Sequence, residues 1–71
     1  MMSFVIEIAS SPDRDELVAE IWWNEQMVAE LRRGGGTTTY VDVYPPPSAK
    51  PWSFKLEEWL QALNDAKTRL G

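Results

Sequence analysis

The segment over residues 18–33, VAEIWWNEQMVAELRR, most constrains how this chain can fold. As a helix that advances about 100° per residue, it places Asn24 within the apolar stripe and turns the adjacent tryptophans away from that stripe. As two strands joined by a turn at residues 24–26, it gathers the apolar side chains of both strands on one face. The pattern therefore predicts a β-hairpin. The expected opposed pairs are Trp23 with Met27, Ile21 with Ala29, and Ala19 with Leu31.

Two features of the same region favour a helix instead. The motif SPDRDE at residues 11–16 has the Ser cap, the first-turn Pro and the early acidic residues of a helix start. The hairpin register also sets Glu20 opposite Glu30, and like charges at directly opposed positions destabilise a strand pair. A helix within residues 12–31 is therefore the alternative to the hairpin.

Two further strands are predicted on either side of this hairpin. An alternation of apolar side chains predicts a strand over residues 3–9, and a β-branched and aromatic run predicts another over residues 37–44. In the latter, Thr39, Val41 and Val43 are expected to join the core face. With strands over about residues 16–23 and 27–33, these elements form a four-stranded antiparallel meander. The glycines in RRGGGTTT connect the last two strands, and they lack the spacing of a phosphate-binding loop.

The C-terminal part of the chain predicts one amphipathic helix. Three consecutive prolines cannot donate ladder hydrogen bonds, so they end the sheet and begin a stiff connection over residues 45–51. A helix over about residues 54–70 then carries apolar side chains at three- and four-residue spacing. These are Leu56, Trp59, Leu60, Leu63, Ala66 and Leu70. We therefore expect residues 1–71 to form one small α+β domain in which the helix packs on one sheet face.

A single helix leaves the second face of the sheet uncovered, and this face is the candidate interface. Exposed apolar patches mark contact surfaces, and Tyr and Trp are enriched there because each offers a large area with few rotatable bonds. The candidate interface residues are Trp22, Tyr40, Tyr44, Val28, Val18 and Arg32. The sequence leaves open whether these side chains shield one another, meet a second copy in a homodimer, meet another protein or bind a small ligand.

Composition argues against several classes of function. The chain has eleven acidic and seven basic residues, and a net charge of −4 opposes binding to the phosphate backbone of nucleic acids. It has no Cys and no His, so it lacks the best nucleophile, the usual general base and the commonest metal ligand. We therefore predict no enzyme, no catalytic residue, no cofactor and no metal site.

The N-terminal segment does not predict membrane targeting. MMSFVIEIASS has no basic start, and its short apolar run is interrupted by Glu7, so it is unlike a signal peptide or a membrane-spanning segment. The absence of Cys gives no indication of an oxidising compartment. The expected location is therefore the cytoplasm, with a protein as partner, and with neither nucleic acid nor membrane.

The order of segments FVIEI, VAEIWW, VAELRR, TTYVDVYP and PWSFKLEEWLQAL resembles small uncharacterised bacterial proteins with four strands and a terminal helix, known as domains of unknown function. A looser similarity in charge and size links the chain to antitoxin and immunity proteins, many of which are acidic and bind a basic partner through a sheet face. The uncovered aromatic sheet face predicts a small interaction module or homodimer that uses this face. The looser similarity implies the alternative, an acidic inhibitor of a basic protein.

Overall fold

The computed structural model describes residues 3–10 and 16–71. They form one antiparallel sheet in the order β1-β2-β3-β4, followed by one helix. The elements are β1 (Phe4–Ser10), β2 (Leu17–Trp23), β3 (Gln26–Arg33), β4 (Thr39–Val43) and α1 (Leu56–Leu70). The predicted α+β meander with a C-terminal helix is confirmed. The predicted helix start in SPDRDE falls mostly on residues 11–15, which lie outside the described part of the chain.

A turn of two residues closes the central hairpin. Asn24 and Glu25 both have positive φ, 49° and 65°, as in the type I′ turn that suits the twist of paired strands. The turn sets Trp23 opposite Gln26, so the predicted three-residue turn, which opposed Trp23 to Met27, is wrong. The difference arises because Gln26 already belongs to β3.

A β-bulge at Val28 reconciles this short turn with the apolar pattern. The pairing shifts between Trp22, which opposes Met27, and Ile21, which opposes Ala29, so Val28 is the extra residue on β3. Without the shift, β3 would present its charged residues rather than its apolar ones to the core beyond that point. The predicted pairs of Ile21 with Ala29 and of Ala19 with Leu31 are confirmed.

The bulge also changes the face on which two side chains lie. Met27 lies opposite Trp22 and therefore shares its face of the sheet. Val28 is only 1% exposed and belongs to the buried core cluster. The prediction that Val28 contributes to the uncovered face is therefore wrong.

The core lies between α1 and one face of the sheet. Small side chains form one part of it, and large aromatic side chains form the other. Ala62 and Ala66 are buried on α1, and such small residues allow a close approach of the helix to the sheet. Beside them, Phe4 and Phe54 lie in an aromatic cluster, with ring centroids 4.8 Å apart in an edge-on arrangement that aromatic pairs favour. Three tryptophans complete the cluster: Trp23, Trp52 and Trp59.

The helix packs off centre. It packs extensively on β1 and β2 and sparingly on β3, and among the described residues no Cα atom of α1 lies within 8 Å of one in β4. Leu56 and Leu60 on the flank of α1 are therefore 63% and 54% exposed, which contradicts their predicted place in the core. Val41 and Val43 of β4 lie opposite Leu31 and Ala29 and so share the core face, as predicted, but they are 48% and 59% exposed because the helix lies off centre.

We predict that Glu25→Gly stabilises the protein by about 0.5–1 kcal/mol. A left-handed backbone conformation costs a side-chain-bearing residue about 1–2 kcal/mol, which glycine avoids at some expense in chain entropy. Denaturant unfolding monitored by fluorescence measures the change. Glu25→Ala removes the same charge but retains the Cβ, so an equal gain in that control would contradict a backbone origin.

Candidate interaction surface

The sheet face away from α1, here called the open face, is organised in rows that cross the strands. Directly opposed residues of antiparallel strands share a face, and their Cβ atoms lie about 4.5–5.5 Å apart. One row contains Val5, Trp22 and Met27. A parallel row contains only acidic side chains, and it lies two residues further along β1 and β2 and three residues further along β3, which includes the bulge.

This acidic row runs across all four strands. Glu7 of β1 opposes Glu20 of β2, Glu20 opposes Glu30 of β3, and Glu30 opposes Asp42 of β4. Each neighbouring pair sets like charges at directly opposed positions, which destabilises the strand pairing. The row is therefore an electrostatic cost that the folded chain tolerates in the middle of its open face.

Polar contacts from flanking side chains moderate the repulsion. Trp22 Nε1 donates to Glu20 Oε1 at 3.1 Å, and the Tyr44 hydroxyl donates to Glu30 Oε1 at 3.3 Å. Both donors are neutral, so they orient carboxylates without cancelling their charge. The contacts with Trp22 and Tyr44 therefore leave the carboxylate charges of Glu20 and Glu30 unneutralised.

Asp42 is the one member of the row with a cationic partner among the described residues. Arg32 Nε donates to Asp42 Oδ2 at 2.8 Å, in an ion pair whose side chains are 30% and 41% exposed. The guanidinium carbon of Arg32 also lies 4.6 Å from the ring centre of Tyr40, within the range of a cation–π interaction. Arg32 is thus already engaged on both sides, and within residues 3–10 and 16–71 no ion pair involves the other three members of the row.

The position of Tyr40 depends on a glycine. The Tyr40 ring lies against Gly34, where a Cβ atom would overlap the ring. Gly34 is therefore required for close approach, with Gly36 at φ 69° forming the turn before β4. The sequence pattern predicts these glycines only as a connection between strands and does not indicate this contact.

Two pKa values report the electrostatics of the open face. The hydrogen bond from Arg32 to Asp42 raises the pKa of the guanidinium above its usual value. Partial burial, followed by the nearby charge of Glu30, raises the pKa of the Tyr44 phenol. Both shifts have the direction expected of groups that lie among carboxylates.

The predicted interface residues separate into two groups. Trp22, Arg32, Tyr40 and Tyr44 lie together on the open face, at least partly accessible. Two valines do not offer contact area, since Val18 is buried by its neighbours and Val28 lies in the core. The sequence pattern indicates Glu20 opposite Glu30 only as a destabilising pair of like charges. The registers of β1 with β2 and of β3 with β4 extend this pair into a row, which the pattern did not predict.

Other site chemistries have little support. Within residues 3–10 and 16–71, no group of three or more His, Cys, Asp or Glu side chains is arranged to hold a metal ion. A surface cavity of about 750 Å³ lies between β1 and α1, with Phe4, Trp23 and Phe54 among its lining residues.

No helix of the described chain has the length and apolar character to cross a membrane.

Comparison with family models, with curated proteins and with solved structures finds no match to the chain. The resemblance to small bacterial domains of unknown function therefore stays a prediction.

We predict that Glu30→Gln lowers the pKa of Tyr44 toward its ordinary value of about 10 without reaching it. The substitution removes the charge of Glu30 but not the partial burial of the phenol, which is the larger cause of the upward shift. Ultraviolet titration in a Tyr40→Phe background, which leaves Tyr44 as the single tyrosine, measures the value. An unchanged pKa would contradict the contact between the phenol and Glu30.

Proposed function

We propose that the protein is a small non-enzymatic interaction module whose open face binds a basic surface on another protein. The acidic row, flanked on both sides by aromatic side chains, is the observation that carries this proposal. A cationic partner would convert the mutual repulsion of the row into attraction. The same contact would remove the aromatic rings beside the row from water.

Charge argues against a second copy as the occupant of the open face. Two open faces that met would bring acidic rows together, and Arg32 beside the row is already paired with Asp42. Like-charge contact across an interface costs several kcal/mol and acts as a barrier to the wrong partner. A partner that presents Lys or Arg side chains does not meet this barrier.

The aromatic side chains supply the remaining affinity. Trp and Tyr are among the residues that most often dominate the binding energy of interfaces. Trp22 lies on one side of the acidic row, and Tyr40 on the other side belongs to an exposed strand. Their rings also offer faces to incoming cations. We therefore infer that charge sets the association rate of the contact and that the buried aromatic area slows its dissociation.

An acidic inhibitor is the second candidate, and the acidic row favours it as well. Basic surfaces of proteins commonly serve to bind nucleic acid. A module that covers such a surface would block it, as antitoxin and immunity proteins do, and we propose the cytoplasm as the place where it acts. This candidate differs from a plain adaptor in its outcome, because the partner's own activity would be lost on binding.

We predict that the double substitution Glu20→Gln and Glu30→Gln raises the free energy of unfolding by about 0.2–1 kcal/mol, since glutamine retains each acceptor oxygen but removes the like charges. The gain should shrink as salt rises, because salt screens the repulsion in the parent protein. Thermal and denaturant unfolding measure it. The control, Glu57→Gln with Asp65→Asn, changes the net charge equally on α1, and an equal gain there would contradict the role of the row.

The same pair of variants tests partner binding. As a probe we suggest a synthetic amphipathic helix with arginines at three- and four-residue spacing, compared with its counterpart in which glutamate replaces arginine. The parent protein and the α1 control should bind the arginine peptide, and the acidic-row variant should bind it at least about tenfold more weakly, a loss of about 1.4 kcal/mol. Equal binding by all three proteins, or binding that does not weaken with salt, would overturn the proposal.

We predict that Trp22→Glu leaves the fold intact and weakens binding of the arginine peptide by about 2 kcal/mol, as the loss of a dominant interface aromatic does. The substitution adds negative charge, so any loss must come from the missing ring. Near-ultraviolet circular dichroism checks the fold, and titration calorimetry measures the affinity. Trp22→Tyr should retain most of the binding. Unfolding of the glutamate variant would contradict the placement of Trp22 on the open face.

A further inference from the structure

We propose that β4 pairs antiparallel with β4 of a second copy, so that a homodimer forms with one continuous sheet. This surface is the edge of the sheet and not its open face. The proposal therefore does not depend on the basic partner. It also places the homodimer that the sequence suggested on a different surface from the aromatic patch.

The backbone of β4 presents an unpaired edge. The amide of Tyr44 donates to the Val28 carbonyl at 2.9 Å, and the amide of Gly34 donates to the Thr38 carbonyl at 2.8 Å. Residues 38 and 44 thus point their backbone groups toward β3, and because these groups alternate along a strand, residues 39, 41 and 43 point theirs outward. No described strand lies beyond β4.

Natural edge strands prevent strand pairing with short length, charged residues, prolines, bulges or covering segments. The strand TYVDV is short and carries Asp42, but it contains no Lys or Pro, and its pairing with β3 is regular and has no bulge. The opposite edge differs, because Arg69 Nη1 of α1 donates to the Ile6 carbonyl of β1 at 3.1 Å. The two edges are therefore unequal, and β4 is the one left open to pairing.

The side chains of β4 favour one register. With Val41 on the two-fold axis, Val41 opposes its own copy, Thr39 opposes Val43 of the second copy, and Tyr40 opposes Asp42 of the second copy. All outward backbone groups then find partners. A register centred on Asp42 would oppose two carboxylates, and the strand pairing cannot extend past Pro45, which has no N–H.

The apolar character of β4 points to the same occupant. Val41 and Val43 face the side of α1, but the helix covers them only in part, and they are 48% and 59% exposed. The two-fold pairing sets β-branched side chains beside one another across the new strand pair, which stabilises antiparallel sheets. It also adds buried area to a chain whose own core is small. The contact is compact, so we expect a dimer that dissociates on dilution.

Single cysteines test the register, because the natural chain has none. In the proposed dimer, two copies of residue 41 are a directly opposed pair with Cα atoms about 5.5 Å apart, within reach of a disulfide. Two copies of residue 43 are offset by four residues, or about 13 Å along the strand, which is too far. Val41→Cys should therefore form a disulfide-linked dimer under mild oxidation at least about tenfold faster than Val43→Cys, although Val43 is the more exposed residue.

Faster linkage of Val43→Cys, equal linkage of both variants, or the absence of linkage in Val41→Cys would overturn the proposal. Light scattering over a range of concentrations gives the second measurement. The mass of the natural protein should rise toward twice that of the chain, and Val41→Lys should stay monomeric with unchanged circular dichroism. A natural protein that is monomeric throughout would also overturn the dimer. The acidic-row variant should dimerise as the natural protein does, which separates failure of this proposal from failure of the proposed function.

Discussion

The backbone at Asn24 and Glu25 controls which side chains reach each face of the sheet. Two consecutive positive φ angles close the hairpin with two residues, and such a loop alone would pair β2 and β3 one residue out of phase with their apolar alternation. The extra residue at Val28 restores the phase beyond it. The contributions of β3 beyond Val28 to the core and to the acidic row, Ala29 and Leu31 on one face and Glu30 on the other, depend on this one local irregularity of the chain.

Periodicity was sufficient to predict the strands and the helix, but not the details of the turn. A three-residue turn and a two-residue turn with a bulge give identical pairing from Ile21 onward, so the apolar pattern cannot distinguish them. They differ only near the turn, in the partners of Trp23 and Trp22 and in the faces of Met27 and Val28. The incorrect assignments of Met27 and Val28 come from this degeneracy. A distinguishing signal was weak, because Asn-Glu is not one of the residue pairs that strongly favour a two-residue turn.

Periodicity also could not predict the position of the helix on the sheet. The spacing of apolar residues identifies the apolar stripe of α1 but not which side of that stripe lies deepest. Ala62 and Ala66 allow close approach on one side, and the aromatic cluster holds the start of the helix near β1. Leu56 and Leu60 are left on the opposite flank. The acidic row was visible in part, but its full length needed the registers of three strand pairs, which sequence patterns fix only loosely.

Three of the four tryptophans lie on one side of the sheet and one lies on the other. The two groups should therefore give distinguishable spectroscopic signals. Trp23, Trp52 and Trp59 lie in the aromatic cluster on the side of α1, where Phe54 stacks with two of them at centroid distances of 5.6 Å. Trp22 is separated from them by the sheet and has a carboxylate as its hydrogen-bond partner. Packing of the cluster should dominate the near-ultraviolet dichroism, whereas a change in emission without a change in dichroism should originate from Trp22. The two faces can thus be followed separately in one unlabelled sample.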